Sequence, residues 1–317
     1  MSALSVEPGR ACPADYGYSP SALARAPEIA ASALYVAGGS YGNLQALAAA
    51  EALAADEPGA RLVLNGDVHW FDADPAWFRA VETIATRHLR LRGNVETEIA
   101  RGVKPGIGCG CAYPDSVGSH VVERSNAIIA DLAGIVAHHQ TVRERLAALP
   151  MHMVAQVGAA RIAIVHGDAE SLAGWRFDRA ALDDASERPW LARVARQSGA
   201  DVFASTHTCT AVMRRFRLDG RDVAVANNGS AGMPNFRGQR FGIVTRIGVD
   251  PSPVRPLYGM RLCGVHVDAL PLSYDHAAFL SAFDVRWPAG SAAALSYRAR
   301  ILDGPDEDLA AAARIAA

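Results

Sequence analysis

Residues 61–69 read R-L-V-L-N-G-D-V-H. The short apolar run bounded by Gly66-Asp67 predicts a buried strand that opens into a tight turn carrying a carboxylate. On its N-terminal side, residues 43–56 (N-L-Q-A-L-A-A-A-E-A-L-A-A-D) are rich in helix formers and stop at Pro58-Gly59. Before them, residues 32–37 (S-A-L-Y-V-A) predict another buried strand, ending at Gly38-Gly39. On the C-terminal side, a helix is predicted over 75–86 and a third strand over 88–91, just before Gly93-Asn94. Strand, helix, strand, helix, strand is the order of an α/β layered fold.

Further along, residues 102–118 are rich in Gly, Pro and Cys and read as a long ordered loop. A helical stretch over 121–149 is broken near His138-His139. Residues 151–157 and 161–165 form a hairpin joined at Gly158-Ala159, and 214–218 and 222–226 a second one joined at Asp219-Gly220. Between the hairpins lie a helix over 182–197 and a strand over 202–204, and 241–247 continues the strands. From about Asp268 the chain turns alanine-rich and helical. Three regions are expected: an N-terminal arm (1–31), a layered domain (32–267) and a C-terminal helical appendage (268–317).

The composition is half hydrophobic and one-fifth charged, with a net charge of -2. No basic field marks a nucleic-acid or membrane partner. No unbroken apolar stretch reaches the roughly 18 residues of a membrane span, and no signal-peptide pattern opens the chain. The five cysteines lack C-x-x-C spacing, so a reducing, cytoplasmic location is expected.

Ligands of open α/β sheets bind at the carboxyl ends of the strands. The chemically capable residues fall there: Tyr41, Asp67 and His69, Asn94 and Glu96, His166 and Asp168, and His207. A carboxylate, an amide oxygen and imidazoles suit a divalent transition metal such as Mn, Fe, Zn or Ni. Two such ions about 3.5–4 Å apart can clamp a phosphoryl group during in-line displacement.

Five blocks in order carry a family resemblance: G-S-Y-G-N at 39–43, N-G-D-V-H at 65–69, R-G-N-V-E at 92–96, V-H-G-D at 165–168 and A-S-T-H at 204–207. Over residues 33–250 the chain resembles the calcineurin-like metallophosphoesterases, whose blocks run D-x-H-G-N, G-D-x-x-D, G-N-H-D/E, H-G and G-H-x-H. The resemblance implies a layered β-sandwich flanked by helices, with metal ligands at Asp67, Asn94, His166 and His207. It also marks departures. Gly39 and Tyr41 replace two ligands, Val95 replaces the histidine that protonates the leaving group, and Ser205 replaces the first histidine of the last block.

A single ion on Asp67, Asn94 and His166 is easier to build than two, and His69 and His207 are the candidates for completing the site or moving protons. Glu96 is read as an orienting residue or a helix-start charge, and Asp168 as a partner for a histidine. Tyr41, Asn228 and Arg237 are expected to touch substrate, and the Cys109–Cys111 loop to line the pocket. Three functions remain open: a metal-dependent phosphatase of a small phosphomonoester such as a nucleotide or sugar phosphate, a binding module on the same scaffold, or a single-metal hydrolase of altered chemistry. A homo-oligomer formed through the arm or the C-terminal helices is also left open.

Overall fold

The computed structural model describes residues 7–104 and 106–313. Strands in chain order are β1 (Ile29–Ala31), β2 (Ala33–Ala37), β3 (Ala60–Asn65), β4 (Leu89–Leu91), β5 (His152–Val157) and β6 (Ala160–Val165). They continue as β7 (Val202–Ser205), β8 (Ala211–Leu218), β9 (Arg221–Asn228), β10 (Gly242–Gly248), β11 (Tyr258–Leu262) and β12 (Val265–Leu272). The helices are α1 (Leu44–Ala55), α2 (Pro75–Ala85), α3 (Asn94–Arg101), α4 (Ser119–Val136) and α5 (Gln140–Ala147). After them come α6 (Arg179–Asp183), α7 (Arg188–Ser198), α8 (His276–Arg286), α9 (Ala292–Asp303) and α10 (Leu309–Ala312).

Two six-stranded sheets result, ordered β11-β12-β10-β2-β3-β4 and β1-β5-β6-β7-β9-β8. Within the first, β2, β3 and β4 run parallel while β10, β12 and β11 alternate antiparallel. In the second, β6, β7 and β9 are mutually parallel, and β5 and β8 are antiparallel to their hairpin partners. The two-residue side-chain period of a strand then decides the layers. Leu34, Val36, Val63 and Leu91 of one sheet bury against Ile162, Ile164, Val202 and Ala226 of the other. The alternate residues Tyr35, Leu62 and Leu64 face Leu47 and Ala50 of α1. On the far side Val165, Phe203 and Val225 face Leu191 and Val194 of α7. The result is helix, sheet, sheet, helix: the layered β-sandwich expected.

The first two predicted helices form, and side-chain caps start them. Asn43 accepts from Ala46 N to start α1, and Asp74 accepts from Ala76 N and Trp77 N ahead of Pro75 to start α2. The break at 138–139 separates α4 from α5, and both hairpins join where the glycines placed them.

Strands β1 and β11 were not anticipated, and the boundary at the C-terminal end differs. Helices were expected from Asp268, but β12 pairs with β10 from Gly248↔His266 to Gly242↔Leu272, so the first C-terminal helix begins at His276. Pro271 is tolerated in this strand. It lies beyond Ala269, where pairing with β11 ends, so its missing N–H breaks no bond on that side.

The described part of the arm is anchored; residues 1–6 of the expected arm and 314–317 of the expected appendage lie outside the described residues. Strand β1 adds in parallel to β5, and the buried Tyr16 donates its hydroxyl to Glu98 of α3 at 2.5 Å. At the other end of the chain, Phe279, Phe283 and Ile301 of α8 and α9 pack with Ile99, Ile128 and Leu132 into one cluster that includes Phe71 and Trp70. Among the described residues no helix is long and apolar enough to cross a membrane.

Candidate metal centre

The loops after β2, β3, β4, β6 and β7 converge at one end of the sandwich. Backbone bonds splice the first two together: Gly39 N to Gly66 O at 3.1 Å, Tyr41 N to Asp67 O at 3.1 Å and Gly42 N to Val68 O at 2.6 Å. Asp67, Tyr41 and His207 have φ of 50°, 54° and 27°, a left-handed backbone that costs a non-glycine residue energy and gathers at functional sites. Gly66 must be glycine, since a Cβ there would lie 2.6 Å from both Gly93 N and His166 Nδ1.

A buried carboxylate holds this arrangement. Glu96, fully buried at the third position of α3, accepts from Asp67 N at 2.9 Å, Val68 N at 2.8 Å and Gly93 N at 2.8 Å. Both readings made of Glu96 therefore apply: it starts the helix and fixes the loop carrying Asp67.

Hydrogen-bond partners settle the tautomers. His166 Nδ1 lies 2.9 Å from the Asn65 carbonyl and His207 Nε2 lies 3.1 Å from the Cys111 carbonyl. A carbonyl only accepts, so both of these nitrogens carry hydrogen. The opposite nitrogens, His166 Nε2 and His207 Nδ1, then face each other at 3.2 Å. Asn94 donates Nδ2 to Cys109 O at 3.0 Å, which turns Oδ1 inward to 3.2 Å from His166 Nε2. Asp67 Oδ1 is 3.4 Å from the same nitrogen. Ligand atoms of Asp67, His166 and His207 all lie within 4.8 Å of one another.

Acceptors thus converge on one point with a single position left for a positive charge. Burial depresses the His166 imidazole, but the Asp67 carboxylate outweighs it and the net shift is upward. Burial and the neighbouring His166 push His207 down to about 3. Burial raises the Asp67 carboxyl, and the facing imidazoles reverse this to leave it below the usual range. The donor set, one carboxylate oxygen, one amide oxygen and two imidazoles, fits one borderline divalent ion.

The positions where the resemblance would supply further ligands are filled otherwise. A Cβ on Gly39 would meet the Tyr41 ring at 2.8 Å, so the absent side chain leaves room for that ring. Ser205 donates its hydroxyl to Gly167 O at 2.6 Å, away from the centre. Val95 is buried and lines the cavity beside it.

Several expectations for individual residues need correction. His69 is outside the centre: its Nδ1 is 2.6 Å from Asp72, its Nε2 is 2.9 Å from Glu82, and its ring stacks on Phe78 at 4.1 Å. Burial opposes its charge, yet the two carboxylates push its pKa up to about 9, so it is a core imidazolium. The left-handed turn at Asp67 breaks the strand alternation that would have put His69 on the same side. Asn228 does not reach the cavity either; it donates to Gly38 O at 3.0 Å and Ile243 O at 2.9 Å, stitching the sheets together. Arg237 is an exposed surface residue paired with Asp306. Asp168 accepts from the backbone N–H groups of Glu170, Ser171 and Arg176 and from no histidine.

Tyr41, Asn94, Asp67 and His207 do line a common cavity of about 220 Å³, and Cys111 of the glycine-rich loop joins them. Tyr41 shares a 2.7 Å hydrogen bond with Cys209. Sequence reasoning missed Trp70, Trp175, Tyr297 and Arg300, which line the same cavity. Trp70 sits directly after His69 and could have been found. Tyr297 and Arg300 come from α9, which only tertiary packing brings here.

No family model matches the sequence, and no curated protein matches it. Solved structures do. A hypothetical protein from Pyrococcus horikoshii OT3 is 16% identical with a TM-score of 0.56, the match covering 86% of this chain and 100% of that one. A metallophosphoesterase from Sphaerobacter thermophilus is 15% identical with a TM-score of 0.54 over the same shares. At such identity the likeness concerns the fold. The chain has the calcineurin-like metallophosphoesterase fold, with a partial metal-ligand triad of Asp67, His166 and His207.

Proposed function

We propose that the protein is a single-metal hydrolase of a small phosphorylated compound, with Asp67, Asn94, His166 and His207 holding one divalent ion of the Mn, Fe, Zn or Ni group. The observation that carries this reading is the convergence of Asp67, Asn94, His166 and His207 acceptors described above, which one cation satisfies. When bound, such an ion supplies Lewis-acid polarisation of a phosphoryl oxygen and a nucleophile at neutral pH. The chain's own residues do the rest. The Asn65 and Cys111 carbonyls fix the two imidazoles, and Glu96 sets the loop of Asp67.

A second ion is not part of the proposal, because Tyr41 and Gly39 fill the space of the first block with a phenol ring. That same packing also favours one alternative, a module that binds a phosphorylated ligand without turning it over. Metal content separates the two. Protein purified without chelators should carry about one equivalent of transition metal, lost in Asp67→Ala, and should release phosphate from small esters. No metal in the wild type after dialysis against Mn would defeat the hydrolase reading. Metal without phosphate release would favour the binding module.

A further inference from the structure

The cavity beside the centre is small and walled with rings. Its 220 Å³ is below the roughly 300–1,000 Å³ usual for drug-sized ligands. Trp70 faces Tyr297 at 6.4 Å between centroids, edge-on, and Tyr113 faces Trp175 at 6.0 Å, so two ring pairs form its walls. Besides His207, the ionic side chains lining it are Asp67, on the metal centre, and Arg300. Arg300 is fixed through Nη2 to Cys209 O at 3.0 Å and through Nε to Pro234 O at 3.2 Å. Those two bonds set the plane of a guanidinium whose remaining N–H groups are suited to a phosphoryl oxygen.

A hydroxyl-rich sugar would bring more hydroxyls than the few free polar atoms of these walls, Trp70 Nε1 among them, can partner, and each one left over costs about 1–3 kcal/mol. A flat apolar ring would not. The supply of protons points the same way. Among the described residues His207 is the one imidazole lining the cavity, and its Nε2–H is held by the Cys111 carbonyl while Nδ1 faces His166. Among the described lining residues no imidazole is left to protonate a departing alkoxide. A phenolate, far less basic, departs without that help.

We propose that the substrate is a phosphate monoester of a small aromatic alcohol, its ring seated among Trp70, Tyr113, Trp175 and Tyr297 and its phosphoryl group met by Arg300. The proposal rests on the hydrolase reading and narrows its substrate class. In the reaction, the oxygen of water forms a bond to phosphorus and the bond from phosphorus to the aryl oxygen breaks. Its electron pair leaves with the phenolate, and the proton displaced from water passes to solvent.

The test is titration calorimetry of the full chain, preincubated with Mn²⁺, using phenylphosphonate and methylphosphonate, neither of which has an ester bond to cleave. Phenylphosphonate should bind at least about tenfold tighter, as burial of a ring predicts. Tyr297→Ala should shrink that preference to about threefold or less. Val117→Trp, which narrows the cavity from a loop position, should do the same without removing a wall. In rate assays, kcat/KM should fall steadily as the pKa of the leaving phenol rises; a flat dependence would overturn the proton-supply argument. Equal affinity for the two phosphonates, or none for either, in protein that has taken up Mn²⁺ overturns the substrate class and leaves the hydrolase reading standing. Failure to take up Mn²⁺ overturns the hydrolase reading and the substrate class with it.

Discussion

Replacing Glu96 by glutamine changes one atom at the base of the site. Oε2 of Glu96 accepts from Asp67 N at 2.9 Å and Gly93 N at 2.8 Å, while Oε1 accepts from Val68 N at 2.8 Å and more weakly from His69 N at 3.5 Å. A glutamine of the same shape keeps only one oxygen. Whichever way the amide turns, at least one short bond becomes an N–H facing an N–H, because an amide nitrogen does not accept. A hydrogen bond to a charged acceptor contributes about 1.5–3 kcal/mol. Losing one or two of them, and the charge behind the others, adds to a cost of roughly 3–5 kcal/mol. That is a large part of the ~5–15 kcal/mol by which domains are stable.

The damage should not be confined to stability. Asp67 lies on the loop that Glu96 holds and Asn94 opens the helix that Glu96 caps, so Mn²⁺ affinity should fall by about 10–100-fold, as it does when partners behind metal ligands are lost. Urea unfolding followed by circular dichroism reads the first effect, and titration calorimetry with Mn²⁺ reads the second. A Glu96→Gln protein within about 1 kcal/mol of wild type and with unchanged Mn²⁺ affinity would refute the reasoning, since the carboxylate would then be dispensable.

Gly93→Ala should strike the centre and the loop that carries it: the backbone there, with φ of -95°, accepts alanine, but the new Cβ would press on Asp67 Oδ1 and lie 2.7 Å from His166 Cε1 and 2.8 Å from the Asp67 backbone nitrogen. Metal uptake should drop at least about tenfold, and the urea midpoint should fall with it. Glu82→Gln should cost about 3–5 kcal/mol, because it strands the buried Arg90, which Glu82 meets at 2.8 Å, and leaves His69 with Asp72 as its one carboxylate. Burial opposes the charge on Glu82, but His69 and Arg90 hold its carboxyl well below the usual range; its contribution is therefore present above about pH 4.5 and lost on acidification, so the gap between wild type and variant in unfolding experiments should narrow from pH 7 to pH 3. Tyr16→Phe removes the 2.5 Å bond to Glu98 that ties the arm to α3. It should lower stability by about 1.5–3 kcal/mol, and a limited-proteolysis experiment should find the arm cut earlier.

The parts of the site that could be read from the sequence are those whose geometry is local. Asp67, Asn94, His166 and His207 each follow closely on a strand end, and parallel strands of one sandwich place such ends together whatever else the chain does. His69 could not be read the same way, because its side of the backbone depends on the left-handed turn at Asp67, which a two-residue count does not see. Asn228 and Arg237 failed for a different reason. Polar residues near a glycine-rich turn say nothing of direction, and here one points between the sheets and the other to solvent. Arg300 and Tyr297 were out of reach, since nothing near them in the chain marks α9 as a wall of the cavity.

The changed motif positions carry a further point. Read singly, Gly39 and Tyr41 are two lost ligands. In space they are one unit, because the ring of Tyr41 occupies the volume that any side chain at residue 39 would need, and its hydroxyl is held by Cys209 at 2.7 Å. Restoring only one ligand would therefore fail: Gly39→Asp meets the phenol ring and a φ of 64°, which suits glycine far better than a branched side chain. A two-ion site would need both positions changed together. Gly39→Asp alone should destabilise the protein without adding a second equivalent of metal, whereas the double variant Gly39→Asp/Tyr41→His removes the clash and is the one that tests whether a second equivalent can be held.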